Sequence, residues 1–169
     1  MTISMHSASA PVFTKMLANL LNWLEAARAH AEAKKFDTGV YLTLRLAPDM
    51  LPFKNQIQIA SDAVKGCMAR LAGEPVPSWE DNEASLDDLI ARVRRTIDYV
   101  NSVPAARVEG SEERVIEIPR RSGDALKFRG EDYLRHFALP NFYFHLTTTY
   151  ALLRHAGVPL GKMDYLGKF

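Results

Sequence analysis

His145 and Asn141 lie four residues apart, and so do Asp62 and Gln58. In an α-helix that spacing puts both members of a pair on one face. Two adjacent helices carrying these pairs could bring the faces together, and bundle interiors are recurrent homes for such polar sites. Imidazole and carboxylate are good donors for a divalent ion, whereas the amides of Gln58 and Asn141 are weaker ones. His145, Asp62 and Asn141 are therefore the candidate metal ligands. Gln58, Asp62, Asn141 and His145 together are the candidate ligand pocket. The plainer alternative makes His145, flanked by Phe144 and Leu146, a neutral core histidine, with Asn141 serving the backbone after Pro140.

The remaining reactive side chains add little to that set. His155 follows His145 by ten residues, about 100° around an ideal helix, and suits a helix C-terminus. His136 precedes it by nine, about 180° away if the helix is regular. His30 falls at the edge of an apolar face and His6 in the N-terminal lead-in. Cys67 is the single cysteine, so no intrachain disulfide forms, and its helical context reads as a buried small hydrophobe. Ser61 has no identifiable base, and the carboxylate pairs Asp87-Asp88 and Glu112-Glu113 read as solvated. Gly-rich phosphate loops, a His-Glu-x-x-His helix, calcium loops and a Gly-x-Ser-x-Gly elbow are all missing from the chain.

The elements that must position these residues are mostly helical. Met16, Leu20, Trp23, Leu24, Ala27 and Ala31 recur at spacings of three and four, predicting a helix from about Ser9 to Lys35. Residues 40–46 fit a short strand or a helical turn, and the helical surroundings favour the turn. A second long helix is expected from Pro52 to Leu71, leaving at Gly73, followed by a loop with Pro75 and Pro77. In that loop Trp79 is expected to pack over a bundle end. Ser85 and Asp88 make a capping box for a third helix that Pro104 closes. Val115–Ile118 and Ala125–Phe128 read as a β-hairpin around Ser122-Gly123-Asp124, an insertion spanning 112–129. The fourth helix starts between Gly130 and Asp132 and ends at Gly157. Pro140 falls inside it, so the helix must kink or divide there. Tyr165, Leu166 and Phe169 should hold the tail against the body.

Composition narrows the class. The chain has 169 residues, 47% hydrophobic and 24% charged, with a formal charge of +1. That suits one globular domain, 1–169, able to bury a core without metal or disulfide. The near-neutral balance argues against a nucleic-acid partner. No apolar run approaches the roughly 20 residues of a membrane span, and no signal peptide opens the chain, so a cytoplasmic location is expected. The residues themselves assign no activity.

The segment Phe144-His145-Leu146-Thr147-Thr148-Thr149-Tyr150-Ala151-Leu152-Leu153-Arg154-His155-Ala156-Gly157-Val158-Pro159 carries a resemblance. Together with Leu46–Met50, Gln56–Ala60 and Ala69–Gly73, it resembles an uncharacterised bacterial and fungal family related to the DinB/YfiT-like four-helix proteins. The resemblance extends over nearly the whole chain. It implies an all-α, up-down-down-up four-helix bundle, often dimeric, here with a small β-hairpin before the last long helix. Many relatives in that superfamily hold nickel or zinc with three histidines, one from the second helix and two, spaced by four, from the last. Some act as thiol-dependent transferases or metal-dependent hydrolases. His145 matches the final ligand position and Asn141 the preceding one, while Gln58 or Asp62 is nearest to the second-helix position. With one imidazole of three kept, the implied role is a small-ligand-binding or homodimeric interaction module. The alternative is a divergent metal-dependent hydrolase or thiol transferase with a degenerate zinc or nickel site.

Overall fold

The first long apolar stripe becomes α1 (Ala10–Lys34), with Pro11 in its first turn, where a missing N–H costs least. Phe13, Leu17, Leu20, Trp23, Leu24 and Ala27 are fully buried along it. The computed structural model describes residues 3–120 and 122–168. Gly39–Leu42 forms a single helical turn, α2, as the helical surroundings favoured. Next comes α3 (Phe53–Ala72), ended by Gly73 in the left-handed conformation, where its N–H reaches back into the last turn. The loop of residues 74–84 leads to α4 (Leu86–Ser102). At its start the Ser85 hydroxyl accepts from the Asp88 N–H, and the Asp88 carboxylate accepts from the Ser85 N–H.

After a short turn, α5 (Ala105–Val108), the chain forms an antiparallel hairpin of β1 (Val115–Ile118) and β2 (Leu126–Arg129). Val115 pairs with Arg129 and Ile118 with Leu126, so the second strand lies one residue later than the pattern suggested. Two strands alone are marginal, and this pair leans on the bundle. Ile116 is buried, and Phe128 packs on Tyr133 and Phe137.

Pro140 is accommodated by widening rather than by a break. A helical turn α6 (Gly130–Tyr133) runs into a π-helical turn (Leu134–Ala138), then into α7 (Leu139–His155). The Leu139 N–H reaches Leu134 O, five residues back. Proline thus stands at the second position of a fresh helical segment, where its missing donor and its ring are tolerated.

Around the bundle the neighbours are α1 with α4, α4 with α3, α3 with α7, and α7 with α1. The first two long helices therefore sit on a diagonal, and α3 and α7 share an extended flank. The last element, α8 (Lys162–Leu166), docks on α1. Trp23 Nε1 donates to Asp164 O at 2.8 Å, and the Tyr165 ring stacks on the indole. Phe169, expected to help hold the tail, lies outside the described residues. Among these residues no helix is long and apolar enough to cross a membrane.

Candidate functional site

The α3–α7 flank carries His145, but its partner from α3 is Gln56. The two side chains meet at 2.8 Å, Gln56 Oε1 to His145 Nδ1. Gln56 is itself anchored, its Nε2 donating to Leu51 O at 2.7 Å. Those two bonds settle the chemistry of the pair. Turning the amide over would press its oxygen against the Leu51 carbonyl, acceptor against acceptor, so the oxygen must face the imidazole. An oxygen there needs a donor, which places the proton on Nδ1. His145 is held in the Nδ1–H tautomer, with the lone pair of Nε2 free to accept. Burial also pushes the His145 pKa below its usual value, keeping the ring neutral near pH 7.

Asn141, one turn before His145, is half-buried. Its side chain makes no hydrogen bond within the described residues, so an amide donor and an acceptor stand uncommitted one helical turn from His145. Thr149 Oγ1 donates to His145 O at 2.8 Å and Thr148 Oγ1 to Phe144 O at 2.8 Å, satisfying hydroxyls that could have competed for the site. Phe144 stands edge-on to the imidazole at 5.1 Å and is 56% exposed. It also lines an apolar groove of about 410 Å³ with Leu46, Tyr143 and Ala151.

Gln58 and Asp62 do not join this group. They lie two and six residues beyond Gln56, about 200° and 240° around α3, and face the α4 side. Gln58 Nε2 donates to Glu83 Oε2 at 2.6 Å, within hydrogen-bonding reach of Asn55 as well. Asp62 binds Lys65 at 2.7 Å and Arg92 at 3.1 Å. Arg92 is the hub: its side chain is 3% exposed and it also pairs with Asp81 at 2.9 Å and Glu83 at 2.7 Å. Burial alone would raise the Glu83 carboxyl, but hydrogen bonds from Arg92 and Gln58 win and hold its pKa below the usual range. This network ties the 74–84 loop to α3 and α4. The candidate site therefore divides, with His145 and Asn141 on one flank, and on the other Gln58 hydrogen-bonded to Glu83 and Asp62 held in ion pairs.

A resident zinc or nickel ion does not fit what remains. The donors near His145 are two primary amides, and one of them is already used. Among the described residues no three His, Cys, Asp or Glu side chains gather where they could hold a metal. Ligands on one tetrahedral ion at about 2.1 Å sit roughly 3.4 Å apart. The 2.8 Å between Gln56 and His145 is instead a direct hydrogen bond.

Other reactive groups are accounted for locally. Trp79 does not cap the bundle end. It lies between Lys65 Nζ and the Arg95 guanidinium, 4.4 and 4.2 Å from the ring, in a cleft of about 610 Å³ beside α4. His30 Nδ1 meets Tyr41 Oη at 2.7 Å. His136 faces Asp132 on an exposed surface, and Arg154 rather than His155 binds a carbonyl past the end of α7. Cys67 is fully buried, and desolvation pushes its thiol pKa far up, so no thiolate forms. Ser61 Oγ is buried with no partner, hence no base.

A family model described as a domain of unknown function, DUF1993, matches residues 5–166. The chain belongs to the DUF1993 family. This DUF1993 chain is also similar to a DinB family member protein from Shewanella denitrificans, known from a crystal structure at 1.83 Å resolution. The two are 37% identical with a TM-score of 0.87, over 97% of this chain and 92% of that one. The DinB-like helical bundle with its small hairpin, implied by the sequence resemblance, is thereby established. No curated protein matches the chain.

Proposed function

We propose that this DUF1993 protein is a metal-free binding module that takes a small uncharged ligand at the Gln56–Asn141–His145 flank. The observation that carries the reading is the Leu51–Gln56–His145 relay. It presents one nitrogen, Nε2, as a fixed acceptor one helical turn from an uncommitted amide. A fixed acceptor with an apolar rim is how small-molecule sites combine orientation with affinity. The alternative role as a metal-dependent hydrolase or thiol transferase is less well supported, because no three metal-donor side chains gather among the described residues.

An NMR screen of uncharged fragments against ¹⁵N-labelled protein, prepared without an affinity tag, tests the proposal. Perturbations should concentrate on Gln56, Asn141, Phe144 and His145 and vanish in His145→Phe. Perturbations confined to the Trp79 cleft, or tightly bound stoichiometric metal at His145, would defeat it.

The exposed apolar side chains Leu46, Leu51 and Phe144 favour a second reading, in which this face pairs with another copy of the chain. Sedimentation equilibrium decides it: a dimer that Phe144→Glu converts to monomer supports self-association, and a monomer at high concentration removes it.

A further inference from the structure

We propose that the Asn141–His145 edge reads a neutral carboxamide-type group, a planar N–H/C=O edge carried on an apolar body. The proposal rests on the ligand-binding reading above and specifies the ligand's chemistry.

The polar inventory of the flank carries the argument. His145 Nδ1–H is spent on Gln56 Oε1, so the ring has only an acceptor left to offer. Asn141 offers an NH₂ donor one turn away. Helical side chains lean toward the helix N-terminus, so the imidazole leans over the turn that bears Asn141. A ligand N–H directed at Nε2 and a ligand C=O accepting from Asn141 Nδ2 would satisfy both groups at once. Primary amides, ureas and imides present that pair of atoms on one rigid plane.

Charged alternatives complement the site less well. A carboxylate sets an oxygen against Nε2, acceptor against acceptor, unless the ring is protonated, which its burial resists. An ammonium finds only uncharged acceptors in this group, and a desolvated charge without a counter-charge is costly. The apolar body has a place as well. Phe144 touches the imidazole edge-on and also lines the neighbouring groove of Leu46, Tyr143 and Ala151.

Benzamide, benzoate and benzylamine share one ring and differ only in the head group, so they isolate the feature at issue. Each is titrated into ¹⁵N-labelled protein, following the Asn141 side-chain amide and the His145 ring nitrogens. Benzamide should bind saturably with a Kd on the order of 1 mM, within reach of a fragment of this size. Asn141→Asp, which replaces the donor with an acceptor at constant shape, should weaken it by about tenfold while the rest of the spectrum stays native. Benzoate or benzylamine binding there more tightly than benzamide would overturn the carboxamide assignment and leave the ligand-binding reading standing. If none of the three perturbs Asn141 and His145, both fall.

Discussion

Installing histidine at Gln56 and Asn141 together should create a transition-metal site on the α3–α7 flank. The Gln56 Oε1 to His145 Nδ1 distance is 2.8 Å, so the two helices already bring donors from residues 56 and 145 within one ion's reach. Asn141 lies one turn along the same face of α7. Three imidazoles would then surround a point that now holds a proton, and the flank need open by only about 0.6 Å to seat zinc at ordinary bond lengths. If free zinc stands at one hundred times its Kd, binding adds about 2.7 kcal/mol to folding stability. For a chain of this length that is a rise of roughly 5–10 °C in Tm. The assay is thermal unfolding of the Gln56→His/Asn141→His variant with zinc and with chelator, alongside elemental analysis. The control is Gln58→His/Asn141→His, whose new imidazole starts about 200° away around α3. An equal zinc-dependent shift in the control would show that the assignment of Gln56 as the residue facing His145 is wrong. So would a folded double variant that gains no metal and no stability.

Three further outcomes follow from the same geometry. Arg92→Met should cost about 3–5 kcal/mol in urea denaturation, because it strands the Glu83 carboxylate, 8% exposed, without its cation; a loss under 1 kcal/mol would mean that the 74–84 loop is held by something else. His145 should titrate below 6.5 by NMR. Its folded pKa lies under its unfolded one, so the unfolded state binds the extra proton between them. Stability is then complete above about pH 6.5 and declines as pH falls through that window, a dependence that His145→Phe should remove. Finally, Ser85→Ala should lower stability by roughly 0.5–2 kcal/mol through loss of the α4 cap, whereas no change would show that the capping box is redundant.

Much of the architecture was legible because it rests on local rules. The Ser85–Asp88 box, the Gly73 exit and the stripes of α1 and α3 each follow from neighbouring residues alone. The rotation of α3 against α7 does not. Spacing places Gln58 and Asp62 on one face, but it says equally that Gln56 and Ala60 share another. The choice between those faces was made by partners distant in sequence. Arg92 draws Asp62 toward α4 from thirty residues away, and Glu83 draws Gln58 from twenty-five. A usable hint was the position of Gln56 between Phe53, Ile57 and Ala60, where a glutamine must be buried and hydrogen-bonded. Pro140 announced an irregularity, yet its form, a π turn just before the proline, involves Tyr133, Leu134 and Ala138 buried in the core.

That π turn sets the phase between two halves of the molecule. One extra residue in a helical turn rotates everything beyond it by about 100°. The hairpin side is fixed by Phe128, Tyr133 and Phe137, and the bundle side by Phe142, Leu146 and Leu153. Leu134–Ala138 is the turn that joins these two surfaces. Deleting one residue there would restore a regular helix and force a choice. Either the aromatic cluster keeps its place and Asn141 and His145 swing off the α3 flank, or the flank survives and the hairpin is cast loose. The address of His145 is thus written partly in a length of chain, not only in the residues it touches.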